Sequence, residues 1–221
     1  MPPPTAIVRA SDSDFADEYI VLAEHILAPL YPVLAKTTLT FCKNQGLQPA
    51  SVLDIGGGTG QWLEALINEG VLFGCLLELE PAMLAHAQKR LSETFPTFPF
   101  SCLGGTAGFL PFRGMSFDLV VSRNSMHMWP NLLQCWEEIF RTLRPGGIAF
   151  IGRGYGPDLS PELRKEIKDR RKARRIEQNE DPTPEPQSPP SDDVCTLCRK
   201  AGFHTIETIP DGKSYWIADV K

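Results

Sequence analysis

Residues 51–66, SVLDIGGGTGQWLEAL, decide the fold of this chain. An apolar strand at 52–55 runs directly into glycines at positions 56, 57, 58 and 60, and a helix with apolar side chains on one face begins at Gln61. A strand, a glycine turn and a helix in this order bring backbone N–H groups against a nucleotide-like ligand. Glycine is needed in such a turn because a Cβ atom blocks close approach and positive φ. The stretch therefore predicts a nucleotide-type ligand without saying which one.

The composition is that of an ordinary soluble protein of one domain. The chain has 221 residues, 42% of them hydrophobic and 22% charged, and a chain of this length buries a core of its own. Its net charge of −5 argues against binding polyanions by bulk charge. No apolar run approaches the ~20 residues of a membrane span, and the N-terminus lacks the apolar core of a signal peptide. We therefore expect a cytoplasmic protein without membrane contact.

Strand and helix patterns alternate along the chain. Helical spacing covers residues 12–45, with breaks at Pro29 and Pro32. Further helices are predicted at 61–68, 81–91, 132–143 and 193–201, and strands at 52–55, 74–79, 98–103, 117–122, 148–152, 203–209 and 214–220. The last two strands flank an Asp-Gly turn, which predicts an antiparallel hairpin. The pattern predicts an α/β fold with a doubly wound, seven-stranded, mostly parallel sheet whose last strand is antiparallel.

A charged, proline-rich insertion interrupts this alternation at about 157–191. Its helix, predicted at 159–178, has eight Lys or Arg between positions 164 and 175 against only Glu166 and Asp169. The segment 181–191, DPTPEPQSPPS, contains five prolines and predicts a stiff linker or mobile loop. The basic helix is interpreted as a solvated face, a lid or a nucleic-acid surface. The acidic chain and the lack of stacking aromatic residues make nucleic acid the minority interpretation.

Two of the six cysteines, Cys195 and Cys198, form a Cys-x-x-Cys pair. A zinc site needs a second Cys or His pair at suitable spacing, and the sequence offers none. A redox pair is the other alternative, but these residues fall in a predicted helix that ends at Gly202. We favour a structural role for both, and we predict no metal site.

The glycine pattern excludes two common nucleotide sites. A dinucleotide fingerprint, Gly-x-Gly-x-x-Gly, fails because Gln61 stands at its third glycine, and a P-loop fails because no Gly-Lys-Ser/Thr follows. What remains is Asp54-x-Gly56-x-Gly58-x-Gly60. This pattern resembles the first motif of the class I, Rossmann-like S-adenosylmethionine-dependent methyltransferases.

Four other segments resemble that family in the same order. Glu78 lies 78 − 56 = 22 residues after Gly56, close to the ~20-residue offset of a ribose-binding acid. The segment 105–112, GTAGFLPF, is similar to the adenine-binding turn, although Thr106 stands where the family usually has Asp. FDLVVS at 117–122 resembles the fourth strand, and LRPGG at 143–147 resembles the turn before the fifth. The resemblance covers residues 48–155 well, and 192–221 by topology.

The resemblance implies S-adenosylmethionine as the cofactor and S-adenosylhomocysteine as its product. It also implies a helical cap at 1–47 over the cofactor edge and a cofactor-binding domain at 48–221 that carries the insertion. Asp54 is expected to hold either the glycine loop or the amino group of the donor. The residues expected to bind the cofactor are Asp54, Gly56, Gly58, Gly60, Glu78, Leu79, Thr106, Ala107, Ser122 and Asn124.

The acceptor side is predicted from residues near the ends of the fourth and fifth strands. In SRNSMHMWPN at 122–131, His127 is either a general base or a packing residue at the start of a helix. Three glycines at 152–156 allow the backbone to bend beside a substrate. The residues expected to bind the acceptor are Tyr19, His127, Trp129, Arg153 and Tyr155.

These patterns predict methyl transfer to a small-molecule acceptor by a monomer or homodimer. The alternatives are a regulatory or assembly protein that binds S-adenosylmethionine and acts through the basic helix at 164–175, or an RNA or protein methyltransferase. A dinucleotide-dependent oxidoreductase is disfavoured by Gln61. The chain has neither an Asp/Asn-Pro-Pro-Tyr segment after the fourth strand nor a Pro-Cys pair, which argues against methylation of nucleic-acid bases.

Overall fold

The computed structural model describes residues 12–178 and 188–221. The helices are α1 (Asp12–Leu22), α2 (Leu30–Asn44), α3 (Gln61–Asn68), α4 (Pro81–Thr94), α5 (Leu132–Thr142), α6 (Pro161–Glu177) and α7 (Ser191–Ala201). The strands are β1 (Ser51–Ile55), β2 (Phe73–Glu78), β3 (Phe100–Gly104), β4 (Phe117–Arg123), β5 (Leu143–Gly152), β6 (Thr205–Asp211) and β7 (Ser214–Val220). A π-helical turn, Ala23–Leu27, follows α1, and a 3₁₀ turn, Met126–Met128, precedes α5.

The seven strands form one sheet in the order β3-β2-β1-β4-β5-β7-β6. All neighbouring pairs are parallel except those of β7, which runs antiparallel to both β5 and β6. The strand order reverses between β1 and β4, and ligands bind outside the carboxyl ends of strands at such a switch point. The predicted doubly wound sheet with a reversed last strand is confirmed.

Helices cover both faces of the sheet. Successive side chains of a strand point to opposite faces, and the central strands carry apolar side chains on both, so each face must be covered. Val52 of β1 belongs to a core cluster that includes residues of α2 and α3. Leu53 and Ile55 belong to a second cluster, with residues of α5 and α7, on the opposite face. Leu34 of α2 is fully buried in the first cluster, so the N-terminal helices share the core of the sheet. The division of the chain at residue 47 stays a prediction.

Two element boundaries differ from the sequence prediction for identifiable reasons. Helix α2 begins at Leu30 rather than 33, because Pro32 lies in its first turn, where the missing N–H breaks no helical hydrogen bond. Strand β6 begins at Thr205 rather than 203. Phe203 is instead fully buried in the preceding loop, with its ring centroid 5.1 Å from that of Phe140.

Helix α6 is docked onto the N-terminal helices. Its N-cap is Ser160, whose hydroxyl oxygen accepts a hydrogen bond from Leu163 N at 3.2 Å. The Arg170 and Arg174 guanidinium groups donate to backbone carbonyls of the π-helical turn and of α1, at 2.6 and 2.9 Å. The basic helix predicted at 159–178 is therefore a packed element. Residues 179–187, which include most of the proline-rich segment 181–191, lie outside the described residues.

The Cys-x-x-Cys pair lies on the core-facing side of α7. Cys195 is almost fully buried and Cys198 completely so, and both are free thiols. Burial raises the pKa of the Cys198 thiol far above its usual value, which disfavours the reactive thiolate. Within residues 12–178 and 188–221 no group of three or more His, Cys, Asp or Glu residues is arranged to hold a metal ion. The two thiols thus act as small apolar core groups.

In the part of the chain that the structure describes, no single helix combines the length and the apolar character that crossing a membrane requires. One pair, Ala16–Leu27 with Leu30–Asn44, meets those criteria only when both segments are taken together across a bend of 75°.

Candidate active site

A cavity of about 1470 Å³ opens at the carboxyl ends of β1, β2, β4 and β5. Pockets for one small ligand usually measure ~300–1,000 Å³, so this cavity has room for a nucleotide-sized ligand and a second molecule. Twelve of the residues expected at the site lie on its wall: Tyr19, Gly56, Gly58, Glu78, Leu79, Thr106, Ala107, Asn124, His127, Trp129, Arg153 and Tyr155.

The glycine loop after β1 contributes Gly56 and Gly58 to this wall. Gly56 and Gly58 have φ values of +64° and +56°, a region that glycine adopts without strain. A Cβ on Gly56 would lie 2.7 Å from Ser125 Cβ, and one on Gly58 would lie 3.1 Å from Tyr19 Cε1. Both positions therefore require glycine, and the loop exposes bare backbone to a ligand.

Glu78, at the end of β2, holds this loop in place. One carboxylate oxygen, Oε2, accepts a hydrogen bond from Gly58 N at 2.8 Å. The other, Oε1, accepts from Leu79 N at 2.8 Å and Glu80 N at 2.9 Å. A carboxylate has about four acceptor positions, so these three bonds leave capacity for a ligand hydroxyl group. Glu78 thus joins two strand ends and still faces the cavity.

Asp54 lies beneath the loop rather than on the cavity wall. It is 1% exposed, and its Oδ2 has no hydrogen-bond partner among the described residues. Burial and, to a lesser extent, the nearby Glu78 charge raise the pKa of this carboxyl group to about 8, against the opposing effect of Arg123. Asp54 is therefore mostly protonated at neutral pH. Its position directly under Gly57, whose Cβ would lie 2.9 Å from Oδ2, supports the role of holding the loop.

Two other residues expected to bind the cofactor do not reach the wall. Gly60 is the N-cap of α3 and faces α4, where a Cβ would lie 3.2 Å from Leu91 Cδ1. Ser122 is fully buried, and its hydroxyl donates to the Ile55 carbonyl at 2.7 Å. It stays inside the sheet because β4 continues to Arg123, one residue beyond the expected end. Neither residue lies on the cavity wall, and their contact with the cofactor stays a prediction.

Asn124 directs the chain out of the sheet and into the acceptor side of the cavity. Its φ of +61° is uncommon for a residue other than glycine, although Asn tolerates it. Its backbone N–H donates to the Gly152 carbonyl at 2.9 Å. The side-chain Oδ1 is buried and has no hydrogen-bond partner among residues 12–178 and 188–221. An unsatisfied acceptor beside a cavity fits a ligand that brings a donor, such as an ammonium group.

The turn after β3 is closed by Thr106, where the related family usually has Asp. Thr106 Oγ1 accepts from Gly108 N at 3.3 Å, and its carbonyl accepts from Phe109 N at 3.1 Å. Gln134 Nε2 of α5 donates to the Gly108 carbonyl at 2.8 Å and fixes the far side of the turn. A threonine hydroxyl can therefore shape this turn in place of a carboxylate, and Ala107 N–H lies in the same segment.

His127 and Trp129 lie on the turn between β4 and α5. Trp129 Nε1 donates to Ser125 Oγ at 3.1 Å, which anchors the indole ring as part of the wall. His127 is half-buried on the 3₁₀ turn. Burial and the positive charge of Arg153 lower the pKa of its imidazole below the usual 6.5. His127 is therefore neutral at physiological pH, which is the state that a general base requires.

One wall of the cavity is basic, and the sequence analysis missed it. Five cations of α6 line the cavity: Arg164, Lys168, Arg171, Lys172 and Arg175. Their spacing of four, three, one and three residues places them on one helical face, which is the signal that could have revealed this wall. Arg123, which also lies on the wall, is buried and donates to the Gly154 carbonyl at 3.0 Å and to Tyr31 Oη at 3.3 Å.

The part of the chain that forms this cavity matches a known family. Residues 53–151, from β1 to β5, match the family described as "Methyltransferase domain". The match covers a little under half of the chain and assigns residues 53–151 to that domain. S-adenosylmethionine is the cofactor of the class I methyltransferases.

Relatives of this methyltransferase domain differ in what their names say they act on. A demethylmenaquinone methyltransferase of Lactiplantibacillus plantarum is 35% identical over 101 residues, which cover 44% of this chain and 42% of that protein. A malonyl-[acyl-carrier protein] O-methyltransferase of Marinomonas sp. is 33% identical over 159 residues, which cover 69% and 52%. The matches thus span about half the length of these relatives.

A solved structure shows the same fold over nearly the whole chain. This Methanococcus maripaludis protein, assigned in its description to the S-adenosylmethionine-dependent methyltransferases, has a TM-score of 0.79 at 23% sequence identity. The similarity covers 96% of this chain and 95% of that one. It extends the fold assignment beyond residues 53–151, to the N-terminal helices and the terminal hairpin.

The residues of the methyltransferase domain fit S-adenosylmethionine. Gly56 and Gly58 present backbone to the cavity, Glu78 retains acceptor capacity for ribose hydroxyls, and the buried Asn124 Oδ1 can accept a hydrogen bond from a ligand. The turn at Thr106 and Ala107 lies on the same wall and would hold the adenine ring.

Replacing Glu78 with Gln should weaken the binding of S-adenosylhomocysteine by about tenfold or more, because hydrogen bonds to a charged group contribute ~1.5–3 kcal/mol. The amide also turns an N–H₂ group toward one of the backbone donors that the carboxylate now accepts. Isothermal titration calorimetry measures the change. Glu137→Gln, on the exposed face of α5, is the matched control and should bind as the wild type does. Unchanged affinity in Glu78→Gln would rule out the ribose role.

The raised pKa of Asp54 predicts a pH-dependent stability. The folded protein retains a proton that the unfolded chain releases between about pH 4 and pH 8. The free energy of unfolding of the wild type therefore falls as the pH rises through this interval, by up to about 1.4 kcal/mol per pH unit from this group. Asp54→Asn should lack this contribution and show a flatter curve in urea unfolding at a series of pH values. Parallel curves for the two proteins would contradict the assignment.

Proposed function

We propose that this protein transfers a methyl group from S-adenosylmethionine to a small-molecule acceptor. The observation that carries the proposal is the continuity of one cavity, which runs from Glu78 and the glycine loop to His127, Trp129 and Tyr155. A protein that only bound the cofactor would not need the additional part of the cavity that the neutral imidazole of His127 lines. The relatives named for menaquinone and acyl-carrier substrates support methyl transfer, although neither identifies the acceptor of this chain.

The residues of the cavity act mainly by alignment. When bound, S-adenosylmethionine supplies a methyl carbon on a positively charged sulfur, so the donor needs no further activation. The walls orient the acceptor for an in-line approach, with reacting atoms ~3–3.5 Å apart, and exclude water. As the new bond to the methyl carbon forms, the carbon–sulfur bond breaks and its electron pair stays on sulfur, which yields S-adenosylhomocysteine. The chain itself contributes position and a proton acceptor.

His127 receives the proton of the acceptor's O–H or N–H group in this proposal. Its lowered pKa keeps the imidazole neutral, and Arg153 contributes to that shift. Trp129, fixed through Ser125, limits the space beside the imidazole. A base is needed only where the acceptor loses its proton early, so His127 determines the rate only for such acceptors.

The alternatives receive less support from the described contacts. A regulatory protein acting through the basic helix would present residues 164–175 outward, but five of these cations line the cavity. Methylation of RNA or protein remains the second candidate, because the same wall suits a charged macromolecule. Cytoplasmic location and a monomeric or homodimeric state stay predictions.

Calorimetry separates the proposal from its rivals. The full chain should bind S-adenosylmethionine and S-adenosylhomocysteine, and it should show no comparable binding of NAD. Transfer of a labelled methyl group to members of a metabolite set, separated by chromatography, tests catalysis. No heat with either adenosyl compound would overturn the proposal. Binding without transfer to any acceptor in a broad set would favour the regulatory alternative.

His127→Gln should lower turnover about 100-fold or more, because a general base contributes ~10²–10⁴-fold, while the affinity for S-adenosylhomocysteine stays the same. In the wild type, the rate should fall only when the pH drops through the lowered pKa of His127. Arg153→Gln removes a charge that lowers that pKa, so the acidic limb of its pH–rate profile should move to higher pH. Full activity in His127→Gln, or an unmoved limb in Arg153→Gln, would show that His127 is not the base.

A further inference from the structure

The basic and acidic side chains of α6 lie on different faces of the helix. Five of its cations, at positions 164, 168, 171, 172 and 175, line the cavity. None of its four carboxylates, Glu162, Glu166, Asp169 and Glu177, lies on that wall. Lys165 pairs with Asp169 at 2.5 Å and Arg170 with Glu166 at 3.6 Å, away from the cavity. Ion pairs therefore neutralise charges on the outer surface of the helix, while the face toward the cavity carries only positive charge.

The orientation of this cationic face is fixed by contacts at its N-terminal end. The Arg164 guanidinium donates to Asp211 Oδ1 at 2.5 Å and to the Gly156 carbonyl at 2.7 Å. Asp211 is fully buried at its side chain and also accepts from Gly156 N and Trp216 Nε1, at 2.8 and 3.0 Å. Further along, Arg171 donates to Tyr155 Oη at 2.9 Å. These bonds join α6 to the end of β5 and to the terminal hairpin, so the helix cannot rotate freely.

Positive charges placed this closely repel one another. Three pairs on the face are four residues apart, 164 with 168, 168 with 172, and 171 with 175, and like charges at that spacing destabilise a helix. Lys168 and Lys172 form no ion pair with any residue in the described ranges. A helix that carries this cost inside a concave cavity gains stability from an anion that binds there.

The acidic groups on the wall lie elsewhere in the cavity. Glu78 and Glu80 are at the cofactor end, beside the glycine loop, and Asp211 is already paired with Arg164. The space between α6 and His127 is therefore positively charged. The field favours a second molecule with several negative charges in this part of the cavity.

We propose that the methyl acceptor is a small polyanion, a phosphate ester or a molecule with several carboxylates, whose charged group is bound by Lys168, Lys172 and the arginines of the α6 face while the reacting atom faces His127. This inference rests on the proposed function and names its substrate class. A phosphate and a carboxylate cluster share the chemistry that recognises them, so the experiment uses a probe for each.

The test titrates pyrophosphate and citrate, at fixed ionic strength, into the full chain saturated with S-adenosylhomocysteine. The wild type should bind at least one of the probes and should unfold at a higher temperature in its presence. The double variant Lys168→Gln/Lys172→Gln should bind that probe about tenfold or more weakly, because two charged contacts are lost. Its affinity for S-adenosylhomocysteine should not change. The probe that binds distinguishes a phosphate acceptor from a carboxylate acceptor.

The control is Lys165→Gln/Lys200→Gln, which removes the same net charge from the outer face of α6 and from an exposed position on α7. It should bind the probe as the wild type does. Equal weakening in both double variants, or no binding of either probe at millimolar concentration, would overturn the inference while leaving the proposed function intact. Tighter binding of a single-stranded RNA that displaces the probe and depends on Lys168 and Lys172 would also overturn it in favour of a macromolecular acceptor. Failure to bind S-adenosylhomocysteine in the first step would instead contradict the proposed function.

Discussion

The carboxylate of Glu78 is the interaction on which the cofactor end of the cavity depends. It accepts three backbone N–H groups, from Gly58, Leu79 and Glu80, and so ties the glycine loop after β1 to the end of β2. Hydrogen bonds to an ionised acceptor are shorter and about twice as strong as neutral ones, which stabilises a loop made mostly of glycine. The same carboxylate faces the cavity. Glu78 therefore both holds the glycine loop in shape and offers an acceptor to a ligand in the cavity.

Asp211 plays the corresponding part at the acceptor end. Its buried carboxylate gathers donors from Arg164, Gly156 and Trp216, and it comes so close to Gly154 that any Cβ there would collide with it. An unpaired charge at this depth would be costly, and the guanidinium of Arg164 offsets that cost. This buried ion pair, together with the hydrogen bonds of Arg170, Arg171 and Arg174, sets the position of α6 and of the basic wall.

Local sequence patterns predicted the fold and the cofactor end because the determining contacts are local. Strand periodicity, the glycine loop and the spacing from Gly56 to Glu78 all lie within one β–α–β unit. The positions of Ser122 and Gly60 off the cavity wall have a local cause as well: a strand one residue longer than expected keeps Ser122 buried, and Gly60 faces α4. Thr106, which stands where the related family usually has Asp, closes its turn through its hydroxyl group.

The acceptor end could not be predicted in the same way. Arg164 and Asp211 are 47 residues apart in the sequence, and nothing local indicates that they meet. Without that contact, the direction in which the basic helix faces is undefined, and the sequence alone does not decide between a solvated face and a lid. Its spacing of four, three, one and three residues showed that its cations share a face, but only the tertiary contacts show which way that face points.

The most direct test of this account is a crystal structure of the protein with S-adenosylhomocysteine. We expect the ribose hydroxyls within hydrogen-bond distance of Glu78, the adenine ring against the turn at Thr106 and Ala107, and the sulfur directed toward His127 and the α6 face. Density for the ligand anywhere outside the cavity at the carboxyl ends of β1 and β2, or a ribose without contact to Glu78, would contradict the account.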